Sequence, residues 1–278
     1  NIYQKNSIYI DQNHPELKTR SILEKKKIEF VPILNRSKKV TGIFHLSYED
    51  KKPEIENFMI IMAGGIGKRL RPFTYKVPKP LLPVNGKPII EQIILVAKRQ
   101  GIKNFLISIN YLGKKIKSYL RNGEDLNVNI KYIEENKPMG TAGSLYYLKK
   151  LNKPYIVSNA DIISNINYRE MLEYHKKFNS FITVGAISNF EKNHYGNIIF
   201  ENNLVKKIEE KKEKKTFINS GIYIINPKVR DFLTKKKFIH MTDLIETIIS
   251  KKRKVHIFPI HENWYDYGIK EKYLKQKK

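Results

Sequence analysis

Residues 58–88 read FMIIMAGGIGKRLRPFTYKVPKPLLPVNGKP, and this stretch decides how the rest of the chain is to be read. Residues 58–62 are five apolar side chains in a row, too few for a stable helix and enough for a buried strand. Ala63, Gly64, Gly65, Ile66 and Gly67 follow with no polar spacer, so the glycines fall where the strand ends. Glycine at such a place lets the backbone turn sharply and lets N–H groups converge on an anion with no Cβ in the way. The same loop brings Lys68, Arg69, Arg71, Lys76 and Lys79, and no carboxylate occurs between 58 and 88. By its chemistry this is a polyphosphate site. The spacing is not that of a P-loop, because Lys68 is followed by Arg69 and not by Ser or Thr, and it is not G-x-G-x-x-G either. A strand, a glycine turn and a solvated basic loop is the plainer alternative.

Composition sets the bounds. With 278 residues, the chain has room for one large α/β domain of about 220 residues and a small appendage. Hydrophobic residues make up 41%, enough for a core, and the formal charge is +26. Such a charge raises nucleic acid as a partner. The lysines are spread in pairs along the whole chain, however, with no Arg-rich or aromatic-interleaved cluster. That pattern favours a solvated surface that also attracts small phosphorylated substrates, and no nucleic-acid partner is expected. There is no cysteine, which excludes disulfides and thiolate metal sites. No apolar run approaches the roughly 18 residues of a membrane span, and no signal-peptide pattern opens the sequence. A cytoplasmic protein with no membrane partner is the expectation. The first residue is Asn1 rather than Met, as in a piece of a longer chain.

AGGIGKRLRPFT at 63–74, followed by PKPLLPVNGKPII at 78–90, resembles the signature of the sugar-1-phosphate nucleotidylyltransferases. The resemblance implies a Rossmann-like, doubly wound mixed α/β sheet with an antiparallel sugar-binding hairpin region. It also implies a nucleoside triphosphate and a sugar 1-phosphate as substrates, with Mg²⁺ as cofactor. Met62, Ala63, Gly64 and Gly65 are then expected to hold the nucleotide, Arg69 the leaving pyrophosphate, and Lys79 the substrate anions.

Three segments follow in order. Residues 1–52 stand apart: 15–27 reads as a short helix, and 30–34 and 42–46 as two strands joined by the polar turn 35–39. IEFVPILNRSKKVTGIFHL at 28–46 resembles one CBS motif, of which the family uses pairs. An Asp that commonly holds an adenosine ribose is replaced by Tyr48, with Asp50 two places on, so a docking or dimerising remnant is the competing reading. Residues 53–57 read as a linker, and 58–278 as the catalytic domain. There, 88–100 has a proline start, helical apolar spacing and a glycine stop, and 105–109, 114–122 and 128–133 continue as strand, helix and strand. This alternation predicts an open parallel sheet, with ligands beyond the carboxyl ends of the strands.

Further candidate residues follow from the same resemblance. EENKPMGTAG at 134–143 is similar to the family's base-reading loop, which assigns Glu135, Gly140 and Thr141 to the nucleotide. A carboxylate offers two acceptors, and guanine offers two adjacent donors where uracil and thymine offer one, so GTP is favoured. A solvated role for Glu134 and Glu135 stays open. Asp161 follows a strand at 154–159 and resembles the family's metal aspartate, although by itself it could cap a helix. Residues 195–200 and 204–209 read as a hairpin, where the family builds its sugar lid with Gly196. VKKIEEK at 205–211 resembles V-x-x-F-x-E-K, placing Glu210 on the sugar and Lys211 on its phosphate, although Lys212 replaces the usual proline. Asn219 matches the sugar-facing Asn of N-x-G-I-Y. WYDYG at 264–268 resembles W-x-D-x-G and makes Asp266 the second Mg²⁺ ligand, with Trp264 read as core.

The implied reaction is in-line attack of a sugar 1-phosphate oxygen on the α-phosphorus, with pyrophosphate leaving and no covalent intermediate. A CBS segment ahead of such a transferase resembles the glucosamine-1-phosphate guanylyltransferases of legionaminic acid synthesis. Mannose-1-phosphate guanylyltransferase and a uridylyl or thymidylyl enzyme come next. An adenylate-sensing regulatory protein and a nucleic-acid binder are the readings from other classes. Self-association into a homo-oligomer is compatible with the sequence.

Overall fold

A computed structural model of the chain describes residues 8–11, 23, 26, 28, 30–45, 53–148, 151–191, 197–209, 214–235 and 237–276. The chain divides into two units, Asn1–Pro53 and Glu54–Lys278. In the first, β1 (Ile10–Asp11) pairs parallel with β2 (Phe30–Leu34), which pairs antiparallel with β3 (Val40–His45). Asn35 Oδ1 accepts the backbone N–H groups of Ser37 and Lys39, both at 3.0 Å, which closes the turn as asparagine does in Asx turns. Ile10, Leu23 and Val31 form a small buried cluster. The two strands expected here are thus present, the second beginning at Val40 rather than Gly42. Apart from Leu23 and Lys26, the helix expected at 15–27 lies outside the described residues, as do Tyr48 and Asp50.

In the second unit the strands are β4 (Met59–Ala63), the short pair β5 (Pro83–Val84) and β6 (Lys87–Pro88), β7 (Asn104–Ile109), β8 (Asn129–Glu134), β9 (Tyr155–Asn159), β10 (Ile162–Ser164), β11 (Ile182–Glu191), β12 (Asn197–Glu201), β13 (Leu204–Glu209), β14 (Lys214–Ile225), β15 (Val255–Ile260) and β16 (Trp264–Asp266). The α-helices are α1 (Ile89–Arg99), α2 (Gly113–Leu120), α3 (Tyr168–Lys177), α4 (Met241–Ser250) and α5 (Lys270–Gln276). Seven strands form one sheet in the order β15-β11-β14-β9-β4-β7-β8. Only β14 runs against its neighbours in it.

β4 is apolar throughout because both of its faces are covered, as central strands of such sheets are. Met59, Ile61 and Ala63 join one core cluster with Ile90 and Ile94 of α1 and Ile116 of α2. Ile60, facing the other way, joins a second cluster with Val157, Tyr223 and the α4 residues Leu244 and Ile248. The alternation follows from the two-residue period of a strand. α1 buries Ile89, Ile90, Ile93, Ile94, Val96 and Ala97, and each fully buried isoleucine contributes roughly 1.5–3 kcal/mol. The helix stops before Gly101, whose φ of 97° a Cβ would disfavour. β12 and β13 form the expected hairpin, with Asn202 and Asn203 at φ 47° and 62° in its turn.

Candidate active site

The register of the sheet assembles the site. Met62 stands beside Asn159, Ala63 beside Ile109, and Ile109 beside Glu134. The loops after β4, β8 and β9 therefore open on the same edge, the one where parallel sheets bind ligands. A cavity of about 510 Å³ lies there, lined by residues that include Met62, Ala63, Gly64, Gly65, Lys68, Arg69, Lys79, Glu135, Gly140, Thr141 and Asp161. A smaller one of about 210 Å³ shares Gly67, Lys68, Arg69, Lys79 and Asp161 and adds Gly268.

The glycines of the β4 loop have distinct physical roles. A Cβ on Gly64 would stand 3.1–3.2 Å from the Glu135 carboxyl atoms, so its absence lets that carboxylate lie against the loop. Around Gly65 there is open space, which leaves the backbone approachable. Gly67 has φ 69°, and a Cβ there would meet Thr74 Cγ2 at 2.9 Å and Lys79 Cβ at 3.2 Å. Thr74 Oγ1 also donates to Gly67 O at 2.9 Å. Gly67 thus lets the PKP stretch fold back on the loop and carry Lys79 into the cavity.

Of the five cations expected to gather here, Lys68, Arg69 and Lys79 line the cavity. Arg71 and Lys76 do not: the Arg71 guanidinium lies 5.0 Å from the centre of the Tyr75 ring, and the Lys76 carbonyl accepts from Lys115 Nζ at 2.7 Å. The two glutamates after β8 also part company. Glu134 pairs with Lys117 at 2.7 Å on the surface, and that partner holds its carboxyl below the usual range. Glu135 is buried, 8% exposed. Its Oε1 accepts from Ser108 Oγ at 2.6 Å and its Oε2 from Met139 N at 3.2 Å. Burial pushes its pKa up, with the two hydrogen bonds opposing the shift.

Asp161 and Asp266 converge although they are far apart in sequence. β10 pairs antiparallel with β16, setting Asp266 opposite Ile162, and Tyr267 N donates to Asp161 O at 2.9 Å. A Cβ on Gly268 would lie 2.5 Å from Asp161 Oδ2 and 2.9 Å from Asp266 Oδ1. The glycine therefore clears the space that both carboxylates face. No cluster of three or more His, Asp or Glu side chains suited to a metal occurs among the described residues. Two hard oxygen donors beside an open cavity fit Mg²⁺, which typically takes one or two carboxylates and completes its shell with substrate oxygens and water. Oδ2 of Asp161 is engaged by the Lys79 ammonium.

Asn219 does not line the cavity, and its Oδ1 accepts from Gly221 N at 3.0 Å. Trp264 packs against the core, with Nε1 donating to Ser220 O at 2.9 Å. Gly196, Glu210 and Lys211 lie outside the described residues. Phe238 and His240 line the cavity and were not expected to. Their only sequence signal is an aromatic pair just ahead of the amphipathic pattern of α4. Among the described residues, no helix is long and apolar enough to cross a membrane.

The chain is 32% identical over 225 residues to "Mannose-1-phosphate guanyltransferase 2" of Candida glabrata, an overlap of 77% of this chain and 62% of that protein. It thus spans about 62% of the length of the curated relatives it matches. A putative glucose-1-phosphate thymidylyltransferase of Bacillus anthracis in complex with sucrose superposes with a TM-score of 0.64 at 24% identity, covering 79% of this chain and 93% of that one. HddC of Yersinia pseudotuberculosis complexed with GMP-PN superposes with a TM-score of 0.61 at 25% identity, covering 79% and 97%. The sequence model of the nucleotidyl transferase family matches residues 58–278. A match that begins at the threshold of β4 and takes in every residue of the cavity means that this chain belongs to the nucleotidyl transferase family.

Proposed function

We propose that this chain transfers a nucleoside monophosphate, GMP from GTP foremost, to a sugar 1-phosphate and releases pyrophosphate. The observation that carries this reading is the shared cavity of the glycine loop, Lys68, Arg69, Lys79 and Asp161. Three cations and a loop without Cβ obstruction suit a triphosphate and a second phosphate, two anions that repel each other until neutralised. Arg69 draws charge from the leaving pyrophosphate, and Lys79 swings from Asp161 to the phosphates as they enter. Preorganised charges of this kind act on the charge that develops during transfer and hold the reactants in line. Held by Asp161 and Asp266, Mg²⁺ would neutralise phosphate oxygens. Glu135 keeps a free lone pair on each oxygen, enough to accept two donors from a guanine edge.

Glucosamine 1-phosphate is the first candidate for the acceptor, on the arrangement of a CBS-like segment ahead of the transferase. Mannose 1-phosphate is the second, supported by the names of the curated relatives. The test is pyrophosphate release with Mg²⁺ over a grid of five nucleoside triphosphates against glucosamine, glucose, N-acetylglucosamine and mannose 1-phosphates. Release above background in a GTP row supports the reading, and release only with UTP or TTP removes the guanine assignment. A grid with no release in any well overturns it.

A further inference from the structure

The end of β7 reads Phe105, Leu106, Ile107, Ser108 and Ile109, apolar except at Ser108. Ser108 is fully buried, and a hydroxyl so placed costs stability unless it is hydrogen-bonded. Its partner is the Glu135 carboxylate, to which Oγ donates at 2.6 Å. The backbone of Glu135 is tied to the same strand end. Its N–H donates to Ile109 O at 2.9 Å, and Asn110 Nδ2 donates to its carbonyl at 2.6 Å. Both the backbone and the carboxylate of this cavity-lining residue are therefore held by β7 and the residue that follows it.

The next residue reaches the other half of the site. Tyr111 Oη shares its proton between the carbonyls of Thr74 and Tyr75, each 3.1 Å away, and Lys115 Nζ of α2 donates to Lys76 O at 2.7 Å. Three consecutive carbonyls of the basic loop are thus held from one side. The loop needs such an anchor, because Lys68, Arg69, Arg71, Lys76 and Lys79 repel one another and the stretch 58–88 holds no carboxylate. Thr74 passes the anchor on: its Oγ1 donates to Gly67 O at 2.9 Å, and Gly67 is where a Cβ would press on Lys79 Cβ. Ser108, Asn110 and Tyr111 line neither cavity, so what they contribute passes through the residues that do.

We propose that Ser108 and Tyr111 are positioning residues for the transfer: Ser108 holds the Glu135 carboxylate toward the nucleotide base, and Tyr111 holds the basic loop so that Lys79 meets the phosphates. One strand end then sets the distance between the base-reading and phosphate-binding halves of the site. This rests on the nucleotidyl transfer proposed above and deepens it by naming residues that act without touching substrate.

The test uses the full chain, with GTP affinity read by calorimetric titration and turnover by pyrophosphate release with Mg²⁺ and the sugar 1-phosphate that the grid selects. Ser108→Ala and Tyr111→Phe each delete one hydroxyl and add no bulk, and melting curves confirm that each variant folds. Ser108→Ala is expected to weaken GTP binding about tenfold. Made on top of Glu135→Ala it should weaken binding no further, since it acts through that carboxylate. Tyr111→Phe is expected to lower kcat about tenfold with GTP affinity within threefold, and to cause no further loss on top of Lys79→Ala. A merely structural role would carry its loss into both backgrounds. An active wild type whose variants do that, or either of whose single variants stays within twofold in its own reading, overturns the inference and leaves the transferase reading standing. A wild type with no release in any well overturns both.

Discussion

The ammonium of Lys79 lies against Oδ2 of Asp161, joining the stretch after β4 to the loop after β9 across the cavity. With no substrate present each group neutralises the other where neither is fully solvated, since their side chains are only 21% and 13% exposed. Removing one partner leaves the other uncompensated. Lys79→Ala and Asp161→Asn are each expected to lower turnover by roughly 10²–10³, the scale of losing one preorganised charge partner. The double variant should lose less than the product of the two, because the pair acts as a unit. Steady-state pyrophosphate release measures all three, and turnover within threefold of wild type for either single variant would count against the site.

Gly64 and Gly140 separate binding from folding. In Gly64→Ala the new methyl presses on the Glu135 carboxyl at 3.1–3.2 Å, so KM for the triphosphate should rise about tenfold with the melting temperature nearly unchanged. Gly140→Ala must hold φ 76° and meets the Ile239 backbone. It is expected to cost about 1–3 kcal/mol and to lower Tm by several degrees. Calorimetry and initial-rate kinetics on the two variants check the split, and a reversed pattern would refute it.

Glu135 gives the base assignment a pH signature. Burial raises its pKa, and only the ionised carboxylate accepts both guanine donors. Lowering the pH therefore protonates it sooner than an ordinary glutamate, and KM for GTP should climb toward acid. Glu135→Gln should flatten that dependence and weaken GTP more than UTP. A profile that Glu135→Gln leaves unaltered would move the base contact elsewhere.

His175 predicts an acid-sensitive fold. It is buried, with Nδ1 at 2.9 Å from Thr183 Oγ1 and Nε2 without a partner among the described residues. Burial first, and the neighbouring His256 second, lower its pKa to about 4. The folded chain keeps the imidazole neutral while the unfolded chain takes up a proton near pH 6.5. The stabilisation is complete above that pH and is lost as the pH falls toward 4, about 3 kcal/mol over the window. Urea unfolding at pH 7 and pH 4.5 reads this directly, and His175→Leu should lose part of the difference.

What the sequence disclosed was mostly local. The β4 run, the glycines at its end, the proline-started and glycine-stopped α1 and the Asn202–Asn203 turn each carry their structure in adjacent residues. Asp161 and Asp266 were legible as candidates through their resemblance to the family's metal aspartates, but their meeting at Gly268 depends on β10 pairing with β16. Arg71 and Lys76 stand outside the cavity lining, since charge in a loop does not say which way a side chain turns, and the Tyr75 ring lies beside the Arg71 guanidinium instead. Gly140 meets a demand the sequence did not show, the Ile239 backbone brought to it from the segment before α4. The same long-range contact hid Phe238 and His240.

The most direct test of the central claim follows the label of the triphosphate. Incubation with GTP carrying ³²P at the α position, Mg²⁺ and a sugar 1-phosphate should move the label into a nucleotide sugar, while γ-labelled GTP should leave its label in pyrophosphate. Label appearing in inorganic phosphate from the γ position, or no transfer of the α label to any sugar 1-phosphate with any nucleoside triphosphate, would contradict nucleotidyl transfer by this chain.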